Sequence, residues 1–178
     1  DQSRLLGPAG DPAGDPEDLR MSQTPPTVVI VDDEEMVVTS LESFLTLETD
    51  YEVRTFLSPA EALDFVVNND VSLIVSDYLM PDMDGITFLA KVRDAKPDVT
   101  RIILTGYADK ENAIKAINEV GLYQYVEKPW DNDDLKLAIQ NGLERRFLME
   151  KLESKIQEVQ QVQQSLQDIQ SQIIKAFM

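Results

Sequence analysis

The chain has no cysteine and no histidine among its 178 residues. Without cysteine there is no disulfide framework and no thiolate metal site. Without histidine there is no imidazole base, no imidazole metal ligand and no phosphohistidine within the chain. Basic residues are scarce: 16 Lys and Arg stand against 33 Asp and Glu, a net charge of −17. The excess is uneven, with −3 over residues 1–20, −14 over 21–140 and zero over 141–178. So acidic a middle is a poor match for DNA or anionic lipid through its own surface. Long apolar runs are missing as well, and no signal peptide is evident. These absences point to a cytoplasmic protein that touches neither nucleic acid nor membrane directly. What is present is 43% hydrophobic residues, enough for a packed core, on a length that suits one domain plus an extension.

Ala-Gly-Asp-Pro occurs twice in succession, at 9–12 and 13–16, and apolar periodicity is absent there. Residues 1–23 therefore read as a disordered leader, with Met21 as a natural start and the preceding stretch added for expression. From Thr27 strand and helix patterns alternate. Val28–Val31 is a short apolar run, and a helix follows to about Glu48 with Val37, Leu41, Phe44 and Leu45 at helical spacing. Tyr51–Phe56 is a second strand. Ser58, Pro59 and Glu61 open a helix to about Asn69 as N-cap, first and third helical positions. A strand over 72–76, a helix over 85–95 and a strand over Thr100–Leu104 come next. Asp109 caps a helix to about Val120. Leu122–Val126 is the fifth strand, and Trp130-Asp131 opens the last helix. Five strands with short crossovers require right-handed βαβ units and a parallel sheet. The expected fold is an α/β/α three-layer sandwich of flavodoxin-like order 2-1-3-4-5, with helix five extended beyond it.

In such a sheet, chemistry gathers outside the carboxyl ends of the strands. Strand one delivers Asp32 and Asp33, strand three Asp77, strand four Thr105 and strand five Lys128. Taken alone, acids after a strand ordinarily cap the next helix, a strand-end Thr satisfies backbone, and a single Lys is solvated. Together they are a different matter. Three carboxylates in one crevice repel unless a cation neutralises them, and hard oxygen ligands suit Mg²⁺. With Lys128 as a positive charge and Thr105 as a hydroxyl donor, the set suits phosphoryl transfer to a carboxylate, Asp77.

Four motifs carry a resemblance: Val-Asp-Asp-Glu at 31–34, Ser-Asp-Tyr-Leu-Met-Pro-Asp-Met-Asp-Gly at 76–85, Leu-Thr-Gly at 104–106 and Lys-Pro-Trp at 128–130. From about Thr27 to Leu143 the chain resembles the receiver domain of two-component response regulators. The resemblance implies that Asp77 accepts a phosphoryl group from a sensor histidine kinase or phosphotransfer protein. It implies that Asp33, Asp77 and the backbone carbonyl of Leu79 ligate Mg²⁺, with Asp32 acting through water. It implies that Lys128 contacts the phosphoryl group, that Thr105 moves to bind it, that Tyr125 is the aromatic switch, and that Lys128–Pro129 is cis. Leu79 offers no polar side chain to orient a water, so slow self-dephosphorylation is expected. Such a domain is a phospho-acceptor, not a turnover enzyme.

Other readings compete. Asp82-Met-Asp84-Gly85-Ile-Thr87 superficially matches the start of haloacid-dehalogenase-type phosphatases, but Asp77 already holds the strand-end place. An EF-hand loop counted so that Gly85 is sixth puts Met80 first and Lys91 twelfth, where acids are required. A docking module with optional phosphorylation is the remaining alternative.

The last helix does not stop at the domain edge. From Asp131 to Met178 there is no Pro, and Gly142 is the only Gly. Leu152, Val159, Leu166 and Ile173 recur every seven residues; with these as d, Met149, Ile156, Gln163, Gln170 and Phe177 fall at a. The expected core is Leu152, Ile156, Val159, Leu166 and Ile173. A second register through Val162, Leu166, Ile169, Ile173 and Ala176 needs a stammer after Val159. The expected organisation is a receiver over 24–143 and a signalling helix over 144–178, pairing as a parallel homodimer. The helix ends at Met178 without a polar cap, so a downstream effector domain is expected beyond it.

Overall fold

A computed structural model describes residues 24–178. The leader assigned to 1–23 lies outside the described residues. The elements are β1 (Thr27–Val31), α1 (Glu35–Glu48), β2 (Glu52–Phe56), α2 (Pro59–Asn68), β3 (Leu73–Asp77), α3 (Gly85–Ala95), β4 (Thr100–Thr105), a 3₁₀ turn (Tyr107–Asp109), α4 (Lys110–Glu119), β5 (Gln124–Glu127) and α5 (Asn132–Ala176). All strand pairs are parallel, in the order β2-β1-β3-β4-β5. The three inner strands are the three apolar runs. The edge strand β2 exposes Glu52 and carries an exposed Arg54–Glu52 pair.

Side chains alternate along a strand, so each inner strand feeds both faces. Val29, Val31, Ile74 and Ile103 pack with Phe88, Leu89 and Val92 of α3, Ala62 and Val66 of α2, and Ala113 and Ala116 of α4. Val28, Ile30, Leu73, Val75, Ile102 and Leu104 pack with Val38, Leu41 and Leu45 of α1 and with Leu135, Ala138 and Ile139 of α5. Two helices thus cover one face and three the other. This is the expected sandwich.

Local chemistry sets the helix ends. Asp84 caps α3 by accepting from Thr87 N at 2.7 Å, and Asp131 caps α5 by accepting from Asp133 N at 2.8 Å. Ser58 and Asp109 hold the N-cap positions of α2 and α4, but neither makes a side-chain cap hydrogen bond. The 3₁₀ turn between β4 and α4 was not foreseen. β5 begins two residues later than its apolar run: Leu122 is buried in the loop, and Tyr123 N already pairs with Arg101 O at 2.8 Å. The C-terminal end of α4 is held by two arginines, Arg93 donating to Glu119 O at 3.0 Å and Arg101 to Gly121 O at 2.9 Å.

α5 is one unbroken helix of 45 residues, about 65 Å long at 1.5 Å per residue. Its first three turns pack on the sheet. Gly142 makes the closest approach: a Cβ there would lie 3.0 Å from Leu73 Cδ1 and 3.1 Å from Thr100 Cγ2. One turn on, Arg146 Nη1 donates to Val71 O at 2.8 Å, and the Arg145 guanidinium lies over the Tyr123 ring at 5.3 Å. From Leu148 onward every side chain is exposed.

Candidate functional site

The carboxyl edges of β1 and β3 are neighbours, with Val31 opposite Ser76. The residues that end these strands therefore enter one crevice. Asp32 and Asp77 are buried and Asp33 is exposed, and one carboxylate oxygen from each lies within 4.8 Å of the others. From the end of β5, Lys128 reaches in. Its Nζ is 2.8 Å from Asp77 Oδ1 and 3.8 Å from Asp32 Oδ2. The Lys128–Pro129 peptide is cis, as expected.

The two buried carboxylates are satisfied unequally. Asp77 Oδ1 accepts from its neighbour Tyr78 N at 2.9 Å as well as from Lys128. Asp32 Oδ1 accepts from Glu34 N at 2.9 Å, but its Oδ2 is buried and accepts no hydrogen bond among the described residues. At 3.8 Å the Lys128 ammonium attracts that oxygen without bonding it. Burial pushes the Asp32 carboxyl up to about 6, with the charges of Asp77 and Asp33 adding to the rise and the Glu34 N–H and Lys128 opposing it. Burial alone would pull Lys128 down, yet its hydrogen bond to Asp77 and the charges of Asp77, Asp32 and Glu34 outweigh that and raise it. Lys128 is thus held as a cation, shared by Asp77 and Asp32.

An orphaned, fully buried carboxylate oxygen is costly unless something else meets it. Three carboxylates with one protein cation leave a local negative excess. Hard oxygen donors suit Mg²⁺ more than a softer metal. The residues present therefore fit a divalent cation held by Asp32, Asp33 and Asp77.

Thr105 is fully buried at the end of β4, and its hydroxyl donates to Gly106 O at 3.1 Å. Tyr125, paired with Ile103 across β4 and β5, is half-buried against the α2–α4 side of the core. Leu79 sits in the loop after β3 and is 63% exposed, with an apolar side chain. Asp84 is engaged as the cap of α3, which removes it from the phosphatase-like reading. Leu152, Ile156, Val159, Leu166 and Ile173 all lie on the projecting part of α5 and are exposed in the single chain.

Two features of the site were not read from the sequence. Gly85, the first residue of α3, rests on the backbone of Asp77: its N–H donates to Tyr78 O at 2.7 Å, and a Cβ there would overlap the Asp77 carbonyl oxygen. The Asp-Gly pair at a helix start was the available signal. Lys110, at the start of α4, pairs with Glu127 at 2.8 Å, bridging α4 to β5 just before Lys128. No local pattern announces that pair.

Residues 28–140 match the family described as the response regulator receiver domain. The chain is 38% identical over 128 residues to the hydrogenase transcriptional regulatory protein HoxA of Cupriavidus necator, covering 72% of this chain and 26% of that protein. It thus spans about a quarter of that curated relative. It is 30% identical over 150 residues to the transcriptional regulatory protein FixJ of Rhizobium meliloti, covering 84% of this chain and 72% of that protein. Among solved structures it is similar to the signal receiver domain of an HD domain-containing protein from Pseudomonas fluorescens Pf-5. That likeness has a TM-score of 0.65 and 35% identity, over 70% of this chain and 98% of that one.

Proposed function

The chain belongs to the response-regulator receiver family, and from that premise we propose that it is a Mg²⁺-dependent phospho-acceptor switch whose acceptor is Asp77. One observation carries the reading: three carboxylates lie within 4.8 Å of one another, with the Lys128 ammonium 2.8 Å from Asp77. Receivers as a family are phospho-acceptors fed by histidine kinases and coupled to effector domains. The residue roles here follow from that and from the crevice.

The donor is a phosphohistidine on a kinase or phosphotransfer protein, because this chain has no histidine. A carboxylate oxygen of Asp77 attacks phosphorus, the phosphorus–nitrogen bond breaks, and the imidazole leaves with the bonding pair. The product is an acyl phosphate on Asp77. Asp33, Asp77 and, on the family pattern, the Leu79 carbonyl would hold the cation directly, and Asp32 would hold it through water. When bound, Mg²⁺ offsets the negative charge of the carboxylates and of the incoming phosphoryl oxygens. Lys128 exchanges its contact with Asp77 Oδ1 for one with a phosphoryl oxygen. Thr105 gives up its bond to Gly106 O to donate to another. The space it vacates lets Tyr125 turn inward, which alters the surface formed by α4, β5 and α5. Leu79 offers no polar side chain to position an attacking water, so the acyl phosphate hydrolyses slowly. α5 conveys the state, as a pair of parallel helices, to an effector domain. The chain works in the cytoplasm as an acceptor and has no substrate turnover of its own. No helix among the described residues is long and apolar enough to cross a membrane.

The test uses labelled acetyl phosphate or a phosphorylated kinase with Mg²⁺. Wild type takes up one phosphoryl group per chain, Asp77→Asn takes up none, and chelation abolishes uptake in wild type. Uptake by Asp77→Asn at the wild-type level overturns the assignment.

A further inference from the structure

From Leu148 to its end α5 projects with every side chain exposed. A helix of this length is marginal in water on its own and ordinarily depends on packing of an apolar face. Here the apolar face is bare. Leu148, Leu152, Val159, Val162, Leu166, Ile169 and Ile173 are each 52–59% exposed. Together they present about 600–700 Å² of apolar surface, more than a monomer ordinarily leaves to water.

Their spacing fixes a single seam. With Leu152, Val159, Leu166 and Ile173 placed at a, the d positions are Leu148, Lys155, Val162, Ile169 and Ala176. Eight of these nine positions are apolar, and with Leu152 and Val159 at a rather than d the stammer after Val159 is no longer required. Placing the same four residues at d puts Gln163 and Gln170 in the middle of the seam. At 100° per residue, the first seam lies roughly 140° round the helix from Leu135, Ala138, Ile139 and Gly142, the residues that pack on the sheet. It drifts by roughly 20° per heptad, the sense that winds a left-handed supercoil. Its upper end opens into a groove of about 400 Å³ lined by Asn141, Glu144, Arg145, Leu148, Met149 and Leu152.

On the reading that α5 pairs, we propose that the occupant of this seam is the same seam of a second copy, parallel and in register from Leu148 to Ala176. The receiver domains then sit on the outside of the pair. A heptad seam is self-complementary, and two copies bury on the order of 1,200–1,400 Å², within the range of a specific interface. The flanking e and g positions carry only Lys151 and Glu158 as charges, so no row of like charges opposes the pairing. Lys155 is the one charge at a seam position; its ammonium leans out to Glu158 at 3.3 Å while its stem stays with the seam.

The native chain lacks cysteine, so single cysteines report cleanly. In the full chain, light scattering should show a dimer. Val162→Cys and Leu152→Cys should form chain-to-chain disulfides under mild oxidation, and Gln163→Cys should form at most a tenth as much as Val162→Cys. Lys155→Leu should tighten the dimer at least tenfold, and Gln163→Leu should change it less than threefold. A monomer at the concentration of the assay overturns the pairing. A dimer that cross-links at 163 in preference to 162, or not at 152, overturns the register or the parallel sense. Acetyl phosphate uptake at Asp77, measured on the same variants, separates these failures from failure of the acceptor reading.

Discussion

Asp32 is the residue whose surroundings ask most of the fold. It is fully buried, keeps one oxygen without a partner, and has its carboxyl raised to about 6. Asn at this position keeps an acceptor for Glu34 N–H and removes the buried charge. In chelator, Asp32→Asn should be more stable than wild type by about 1–3 kcal/mol, the scale set by a two-unit pKa shift. The folded value lies above the ordinary 3.8, so as pH falls the folded state takes up this proton before the unfolded one does. The stability tied to it is fully present below 3.8 and is lost as pH rises through 6. The gap between variant and wild type should therefore close as pH drops from about 7.5 to about 4.5. Thermal melts across that range check it, and a gap that ignores pH would assign the gain to something else. Adding Mg²⁺ should reverse the order of stability at neutral pH. Gly85 is the second sensitive residue. A methyl there meets the Asp77 carbonyl oxygen, so Gly85→Ala should cost about 1–3 kcal/mol by overpacking. It should also slow phosphoryl uptake, because the backbone that must yield is that of the acceptor.

Among the elements, the inner strands were the most legible. β1, β3 and β4 are buried on both faces and read as near-continuous apolar runs that end on, or run directly into, a polar residue. That change from apolar to polar is also what disclosed Asp32, Asp77 and Thr105. The edges were less legible. β5 is only four residues long and begins on an exposed Gln124, because an edge strand has a partner on one side only. The caps of α2 and α4 follow the preferred residue types without the preferred bonds. Contacts that depend on the approach of distant elements left no local trace: Gly85 on Asp77, and Lys110 with Glu127. α5 was legible in extent, and its anchorage was not. Arg146 bonds Val71 O from 75 residues away. Arg146→Ala should lower stability by about 1.5–3 kcal/mol, the range for a hydrogen bond from a charged donor. Denaturant unfolding of the variant measures this, and a loss below a few tenths would show that water replaces the guanidinium freely.

At the scale of the whole molecule, charge dominates. A net charge of −17, with −14 on residues 21–140, repels itself in the compact state. Raising monovalent salt from about 50 mM to about 500 mM shortens the screening length several-fold and should raise the melting temperature of the apoprotein. Calorimetry at several salt concentrations checks this, and no rise would mean that local pairs already absorb the repulsion. The acid crevice lies at one end of the sheet and the projecting helix leaves from the other, so input and output are separated by the full length of the strands.

α5 contains no proline, and its one glycine, Gly142, is wedged against the sheet. It has no soft joint in which a twist could be lost. Each residue added to the projecting stretch turns whatever lies beyond by roughly 100° and carries it 1.5 Å further. Seven added residues bring the azimuth almost back to its start, and two reverse it. The rod therefore dictates not only how far from the receiver a distal module would stand, but which way it would face.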